Sequence, residues 1–367
     1  MSTINEKIFN VNKTDYERTP LFLGQSPGLF DTINKNHPKI WNLYKLMKSL
    51  DWDENEFNYT ICNTQFKTCS KSTYEMMIMS LAWQWEGDST AARSLVPLVA
   101  PFVSSSELFA AWQAIGLNEV LHAATYSEIV RNSFDDPKEV FREVLKIKES
   151  LSRLDSVAEV MSTIHDISHR YALGEVENNQ ETYNEIFMFV VAMYCLERIQ
   201  FMASFCVTFT IASTGYFVPI GKAVQKIAQD ELEMHSELDK VILEYELQTE
   251  RGKIAMIQCK GRIKKLLDDV VNSELNWSEF IFSEGRELPG MNAPRLKLWS
   301  LFCAKPVYHT LDIEPEHELP EKNPVKFMEN WLNISSTQPS PQEETNGQYK
   351  LNVVRRDDQE VVFDVDF

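Results

Sequence analysis

The stretch NEVLHAATYSEIVRN, residues 118–132, decides how the whole chain is interpreted. Read as a helix, it places Glu119 and His122 three positions apart, with Tyr126 one turn further along the same face. A carboxylate, an imidazole and a phenol on one stripe each need a partner if they are buried. They are either surface polar residues, or include a core histidine whose hydrogen bonds are satisfied, or form half of a metal site beside an oxidisable tyrosine. Only the rest of the chain can decide between these interpretations.

The composition is that of a folded protein with a sizeable core. The 367 residues are 44% hydrophobic and 25% charged, and the net charge is −18. So negative a chain is not expected to bind nucleic acid. The N-terminus lacks the apolar segment of a signal peptide, and the six cysteines form no C-x-x-C pair. These features predict a cytoplasmic protein with free thiols and no membrane anchor. No phosphate-binding loop motif is present either.

Helical periodicity recurs along the chain without the spacing typical of strands. An irregular, proline-containing arm precedes residue 40, and Pro97 and Pro101 are expected to interrupt a helix that begins near Ser72. Helical patterns cover residues 40–52, 72–99, 104–135, 137–173 (one or two helices), 186–212, 221–248, 252–283 and 289–311. The sequence therefore predicts an all-α fold.

The most apolar segment runs from Ile186 to Ala212 and is interrupted only by Glu197 and Arg198. Its length would suit a membrane span, but a charged pair at the centre makes that costly. A helix that is apolar on all sides is otherwise the central helix of a large bundle. Glu197 is then either one half of a buried ion pair, with Arg198 or another base, or a functional carboxylate.

Four helical segments offer metal ligands. Asp88 and Glu197 stand singly, whereas Glu119 with His122 and Glu231 with His235 form acid–histidine pairs. Two single acids and two such pairs are the ligand pattern of a dinuclear iron or manganese site in a helical bundle. Each element alone is weak, but all four on otherwise apolar helices predict a site for two metal ions in the bundle core.

One spacing departs from this pattern. Glu231 and His235 are four residues apart, where three are expected. Both spacings lie on one helix face, and a π-bulge could absorb the extra residue. Glu233 should point elsewhere, so Glu231 is the predicted ligand.

These motifs resemble the small, radical-generating subunit of class I ribonucleotide reductase. The resemblance covers nearly the whole chain, from LFLGQSPGL at 21–29 to the C-terminus. It is carried by DSTAARS at 88–94, NEVLHAATYSEIVRNSF at 118–134, CLERIQFMASF at 195–205, AQDELEMH at 228–235 and NPVKFMENWL at 323–332. It implies a ferritin-like bundle over residues 1–334 and a homodimer. It also implies two iron ions, with manganese possible, held by Asp88, Glu119, His122, Glu197, Glu231 and His235.

The same resemblance assigns roles to other residues. Tyr126 would become a stable tyrosyl radical, and Phe201, Phe205 and Ile227 match the apolar pocket that shields it. Trp52 and Asp230 match a radical-transfer relay that reaches the metal through His122. An exposed radical is quenched by water and reductants, and long-range transfer needs oxidisable stepping residues, so the chemistry of these side chains agrees with the roles.

The C-terminal residues 335–367 change character. SSTQPSPQEETNGQ at 335–348 has the composition of a flexible linker, and the acidic segment after it carries isolated apolar residues. Simple disorder is one interpretation. The resemblance implies the other, in which the tail docks to the large subunit and Tyr349 passes the oxidising equivalent across.

Three functions are open at this point. The first is a ribonucleoside-diphosphate reductase small subunit, which generates the radical that the large subunit uses to make deoxyribonucleotides for DNA synthesis. The second is a stand-alone di-metal oxidase, hydroxylase or desaturase, or an iron store, but this leaves Tyr126, Trp52 and Tyr349 without a role. The third is an all-α scaffold, in which the ligand pattern would be a coincidence.

Overall fold

The computed structural model describes residues 8–14, 18–25 and 28–333, and within them the fold is all-α, as predicted. The only β-type contacts in this part are two isolated bridges, Phe22 with Val103 and Leu288 with Met291. The predicted tail at 335–367, including Tyr349, lies outside the described residues.

Fourteen α-helices and two π-helical turns make up most of the described chain. The first seven helices are α1 (Pro38–Ser49), α2 (Thr60–Thr68), α3 (Lys71–Val99), α4 (Ser106–Ser133), α5 (Pro137–Val144), α6 (Lys148–Ser152) and α7 (Asp155–Ala172). The others are α8 (Gln180–Cys195), α9 (Phe201–Ser213), α10 (Val218–Asp230), α11 (Ser236–Glu246), α12 (Glu250–Ile281), α13 (Ala293–Leu311) and α14 (Met328–Leu332). The first π-turn, Leu196–Gln200, joins α8 to α9, and the second π-turn, Glu231–His235, joins α10 to α11.

Short polar signals set the helix starts. Ser105 caps α4, because its side chain accepts a hydrogen bond from the backbone N–H of Leu108. Ser70 caps α3 in the same way. Helix α9 ends at Ser213, Gly215 lies in the turn that follows, and Pro219 is the second residue of α10.

Two expectations about helix boundaries are wrong. Pro97 does not end α3, which continues to Val99. Proline lacks a backbone N–H, so Pro97 removes one hydrogen bond from the last turns of α3. The cost is small there, because the last carbonyl groups of any helix lack intrahelical partners. Residues 137–173 form three helices rather than one or two. The breaks at 145–147 and 153–154 are turns, and the buried Arg153 lies in the second of them.

The apolar segment is the central helix of the bundle. The span Gln180–Ser213 is long and apolar enough to cross a membrane, but 94% of its most apolar window is buried inside the fold. Helix α8 packs against α7, α11 and α12, and α9 packs against α3, α10 and α13. Helix α3 also packs against α4, and the two π-turns contact each other. These four elements therefore surround one volume in the core.

Candidate metal centre

The six predicted ligand residues converge in the core. Asp88 comes from α3, Glu119 and His122 from α4, Glu197 from the first π-turn, and Glu231 with His235 from the second. All six side chains are at most 1% exposed. Their ligand atoms form two four-residue groups, within each of which all atoms lie within 4.8 Å of one another: Asp88, Glu119, His122, Glu231; and Glu119, Glu197, Glu231, His235. Glu119 and Glu231 belong to both groups, so they stand between two possible ion positions.

Both histidines turn Nδ1 toward the carboxylates. Nδ1 of His122 lies 3.0 Å from Oε1 of Glu231 and 3.8 Å from oxygens of Asp88 and Glu119. Nδ1 of His235 lies 2.8 Å from Oε2 of Glu231 and 3.1 Å from Oε1 of Glu119. Two nitrogens therefore face four carboxylates across a space closed to solvent.

Polar atoms without partners test whether these residues fit a metal. Among the described residues, none of the eight carboxylate oxygens of Asp88, Glu119, Glu197 and Glu231 forms a hydrogen bond of normal geometry. The same holds for Nδ1 of both histidines, although each lies close to carboxylate oxygens. Such atoms are costly in a protein interior. Four carboxylates and two imidazoles are donors that suit iron or manganese ions. The residues therefore fit a pair of divalent cations.

The charges in the cluster are strongly coupled. Burial raises the pKa of Asp88 and of Glu197 well above the usual range, and nearby carboxylates add to the effect. Although burial opposes it, the carboxylate of Glu231 raises the pKa of His235 to about 10. In the same cluster, His235 and His122 hold the pKa of Glu231 below its ordinary value despite burial. Burial therefore penalises the charged forms of several acids at one place, and a bound cation would offset that penalty.

The irregular pair is accommodated as the sequence suggested. Glu231 to His235 is a π-turn, in which the extra residue is taken up without rotating His235 away from the site. Glu231 is fully buried whereas Glu233 is exposed. The first π-turn, which carries Glu197, was not predicted. It contains only one predicted ligand, so the sequence offers no ligand spacing that could reveal an extra residue. Glu197 forms no ion pair with Arg198 in the described part of the chain.

Tyr126 lies on the same helix as Glu119 and His122 and is 1% exposed. Burial, and then the charge of Asp88, raise the pKa of its hydroxyl well above 10. Phe201, Phe205 and Ile227 are all fully buried in the same apolar core. Phe201 stacks on Phe205 with ring centroids 5.7 Å apart.

The residues of the predicted relay are in contact. Nε1 of Trp52 donates to Oδ2 of Asp230 at 2.8 Å, and Nε2 of His122 lies 3.0 Å from the same oxygen. The rings of Trp52 and His122 are 6.1 Å apart and nearly parallel. A continuous path of side chains thus leads from Trp52 to the ligand cluster.

Three nearby residues were missed by sequence reasoning. Asn118 contacts both Asp230 and His235. Asp239 is 3% exposed and follows His235 by one helical turn, a spacing that could have drawn attention to it. Arg153 is buried and contacts the first π-turn at Gln200, and no local sequence signal identifies it.

Fold and site together define a class: a helical-bundle protein whose core carboxylates and histidines could hold two metal ions. The family model "Ribonucleotide reductase, small chain" matches residues 29–324, so the chain belongs to that family. It is a ribonucleoside-diphosphate reductase small subunit, a protein that works with a large subunit.

Individual relatives agree with the family. The ribonucleoside-diphosphate reductase subunit beta of Buchnera aphidicola is 23% identical over 94% of this chain and 95% of its own length. The subunit of the same name from Enterobacteria phage T4 is 23% identical over 95% and 96%. In fold, the chain is similar to the ribonucleotide reductase R2 subunit from Clostridium botulinum, with a TM-score of 0.78 and 17% identity over 91% of this chain and 100% of that one. It is also similar to the dimanganese(II)-NrdF protein of Streptococcus sanguinis, with a TM-score of 0.63 and 13% identity over 81% and 96%.

Proposed function

We propose that this small subunit holds two metal ions in its core cluster and that Tyr126 is oxidised there to a stable tyrosyl radical. The observation that carries the proposal is the pair of four-ligand groups sharing Glu119 and Glu231. Asp88 and His122 would complete one coordination shell, and Glu197 and His235 the other. Iron is the proposed metal, and the same donor set would accept manganese. When bound, the ions supply the O₂-dependent oxidation chemistry.

The side chains around Tyr126 have two tasks in this proposal. A tyrosine that loses an electron also releases its phenolic proton, and the Asp88 carboxylate, whose charge acts on that hydroxyl, is the proposed acceptor. Phe201, Phe205 and Ile227 would keep water and reductants away from the radical, and their complete burial supports this.

Radical transfer would leave the core through Asp230 and Trp52. Oδ2 of Asp230 accepts from Trp52 and contacts His122, so it couples an oxidisable indole to a metal ligand. From Trp52 the oxidising equivalent would pass to Tyr349 in the tail and then to the large subunit. The tail at 335–367 would dock there through its terminal residues to Phe367.

A homodimer is proposed through the outer face of α4. One face of this helix carries Glu119, His122 and Tyr126 inward, whereas Leu117 and Val120 on the other are 71% and 52% exposed, with Phe109 at 40% on the same side. Exposed apolar side chains aligned on one helix are typical of an interface. We place the dimer in the cytoplasm, where its free cysteines stay reduced.

The decisive test is an electron paramagnetic resonance and optical spectrum after ferrous iron and O₂ are added to the metal-free protein. We expect two irons per chain and a tyrosyl signal that disappears in Tyr126→Phe, while iron binding persists. Metal binding without any radical would support the stand-alone oxidase instead. If no metal binds, both functions are wrong.

A truncation tests the role assigned to the tail. Removing residues 340–367 should abolish ribonucleotide reduction with the large subunit but leave the tyrosyl signal unchanged. The matched single variant Tyr349→Phe should still bind the large subunit, yet reduce no ribonucleotide. Loss of the radical in the truncated protein would refute this division of labour.

A further inference from the structure

The side-chain amide of Asn118 joins the two halves of the candidate metal centre. Its Nδ2 donates to Oδ2 of Asp230 at 3.1 Å, and its Oδ1 lies 2.8 Å from Nε2 of His235. The same Asp230 oxygen contacts Nε2 of His122 at 3.0 Å. One chain of polar contacts therefore runs from His122 through Asp230 and Asn118 to His235.

The directions of these hydrogen bonds follow from donor and acceptor chemistry. A carboxylate oxygen only accepts, so Asn118 must turn its amide nitrogen toward Asp230 and its oxygen toward His235. That oxygen in turn requires Nε2 of His235 to carry the proton. Likewise, Nε2 of His122 must donate to Asp230. In the neutral form of both rings Nδ1 is then the nitrogen without a proton, and Nδ1 is the atom that faces the carboxylates.

The second π-turn makes this bridge possible. Asp230 and His235 are five residues apart, which in a regular α-helix would separate them by about 140° around the axis. In the wider π-turn they come to nearly the same side, where the short Asn118 side chain reaches both. Asn118 thus contacts the residue that precedes the turn, Asp230, and the last residue of the turn, His235.

We propose that Asn118 is a positioning residue that extends the control of Asp230 from His122 to His235, so that both histidines present Nδ1 to the metal site. Hydrogen-bond partners behind a metal-binding histidine fix its tautomer and ring orientation. The inference rests on the proposed metal site. Asn118 does not contact His122, the histidine of one proposed ion. It would act on the other proposed ion through its contact with His235.

The test is an anaerobic Co²⁺ titration of the full-length, metal-free protein, followed by visible absorption. His235→Ala first identifies the binding step that depends on His235. In Asn118→Leu, which is similar in size but apolar, that step should weaken about 10- to 100-fold while the other step changes less than about threefold. In Asn118→Asp the loss should be smaller than in Asn118→Leu, because one carboxyl oxygen still accepts from Nε2 of His235 and the other, when protonated beside Asp230, can donate to it.

A matched control separates positioning from general packing. Asn132 lies on the same helix, is exposed, and its side chain donates to Glu128, far from the histidines, so Asn132→Leu should leave both steps unchanged. Wild-type Co²⁺ binding in Asn118→Leu would overturn the inference, and so would equal losses at both steps or equal losses in the Leu and Asp variants. Failure of the wild-type protein to bind Co²⁺ would instead contradict the proposed function.

Discussion

The two π-turns bring ligands to the same site, yet they are held in different ways. The first π-turn is held through its backbone, where the carbonyl of Gln200 accepts from Arg153 at 2.6 Å and from Nε1 of Trp83 at 3.2 Å. The second π-turn is held through the ligand side chain itself, by the contact of His235 with Asn118. One turn is therefore built into the apolar core, and the other into the polar network of the site.

The support of the first π-turn is a buried ion pair. Arg153 donates twice to Glu274, and its guanidinium lies 3.9 Å from the ring centre of Trp83 and 4.2 Å from that of Trp277. Burial raises the pKa of Glu274 to about 6, even though Arg153 favours its charged form. Such a pair depends on both partners, because a lone charge left inside is very costly.

An irregular helical turn can therefore be stabilised by the packing of the whole core, as at the first π-turn, or by a contact within the functional site, as at the second. Loss of the Arg153 support should lower the stability of the whole bundle, whereas changes at the second π-turn should have little effect on folding. The experiments below test this difference, in order of decreasing effect.

Arg153→Met should destabilise the metal-free protein by about 3–5 kcal/mol, because Glu274 is left buried without its partner. Urea unfolding followed by circular dichroism measures this. The double variant Arg153→Met/Glu274→Leu should recover much of the loss, since an apolar pair of similar volume is often tolerated. Arg131→Met, which breaks an exposed pair with Glu128, is the control and should cost less than about 1 kcal/mol. An Arg153 variant as stable as this control would contradict the assigned support.

Gly87→Ala should cost about 1–3 kcal/mol through overpacking. A Cβ at Gly87 would lie 2.8 Å from the ring of Phe201, which begins the helix directly after the first π-turn. Gly261 in α12 is the matched control, because a Cβ there meets nothing within 4 Å. Gly261→Ala should instead stabilise the protein by about 0.5–1 kcal/mol. Thermal unfolding of the two variants should therefore shift in opposite directions, and shifts of the same sign would argue against close packing at Phe201.

Deletion of Glu233 should cost less than about 1 kcal/mol, as expected for an exposed position without special contacts. The deletion converts the second π-turn into a regular α-turn and leaves Glu231 and the histidine three residues apart, still on one face. Two Co²⁺ ions should still bind. Deletion of Arg198 from the first π-turn is the counterpart and should cost more, about 1–3 kcal/mol, because Arg153 would lose the Gln200 carbonyl. Equal costs for the two deletions would remove the distinction between the turns.

Sequence alone was sufficient for the fold class and for the convergence of the six proposed ligands. Helical periodicity and caps are local signals, so the main helices and the cap at Ser105 were predictable. A buried acid or histidine is costly unless it is paired or binds a metal. Asp88, Glu119 and Glu231 could therefore be recognised as candidate ligands from their apolar surroundings in the sequence. The extra residue before His235 also marked its own π-turn in advance.

Only the tertiary structure revealed the contacts between residues that are distant in the chain. Arg153 and Gln200 are 47 residues apart, and Asn118 and His235 are 117 apart, so no local pattern relates them. The first π-turn, the passage of α3 through Pro97 and the division of residues 137–173 into three helices likewise depend on what packs around them. The physical reason is that periodicity records which side of a helix is buried, whereas a hydrogen bond across the core depends on which side chains the packing brings within 3 Å of one another.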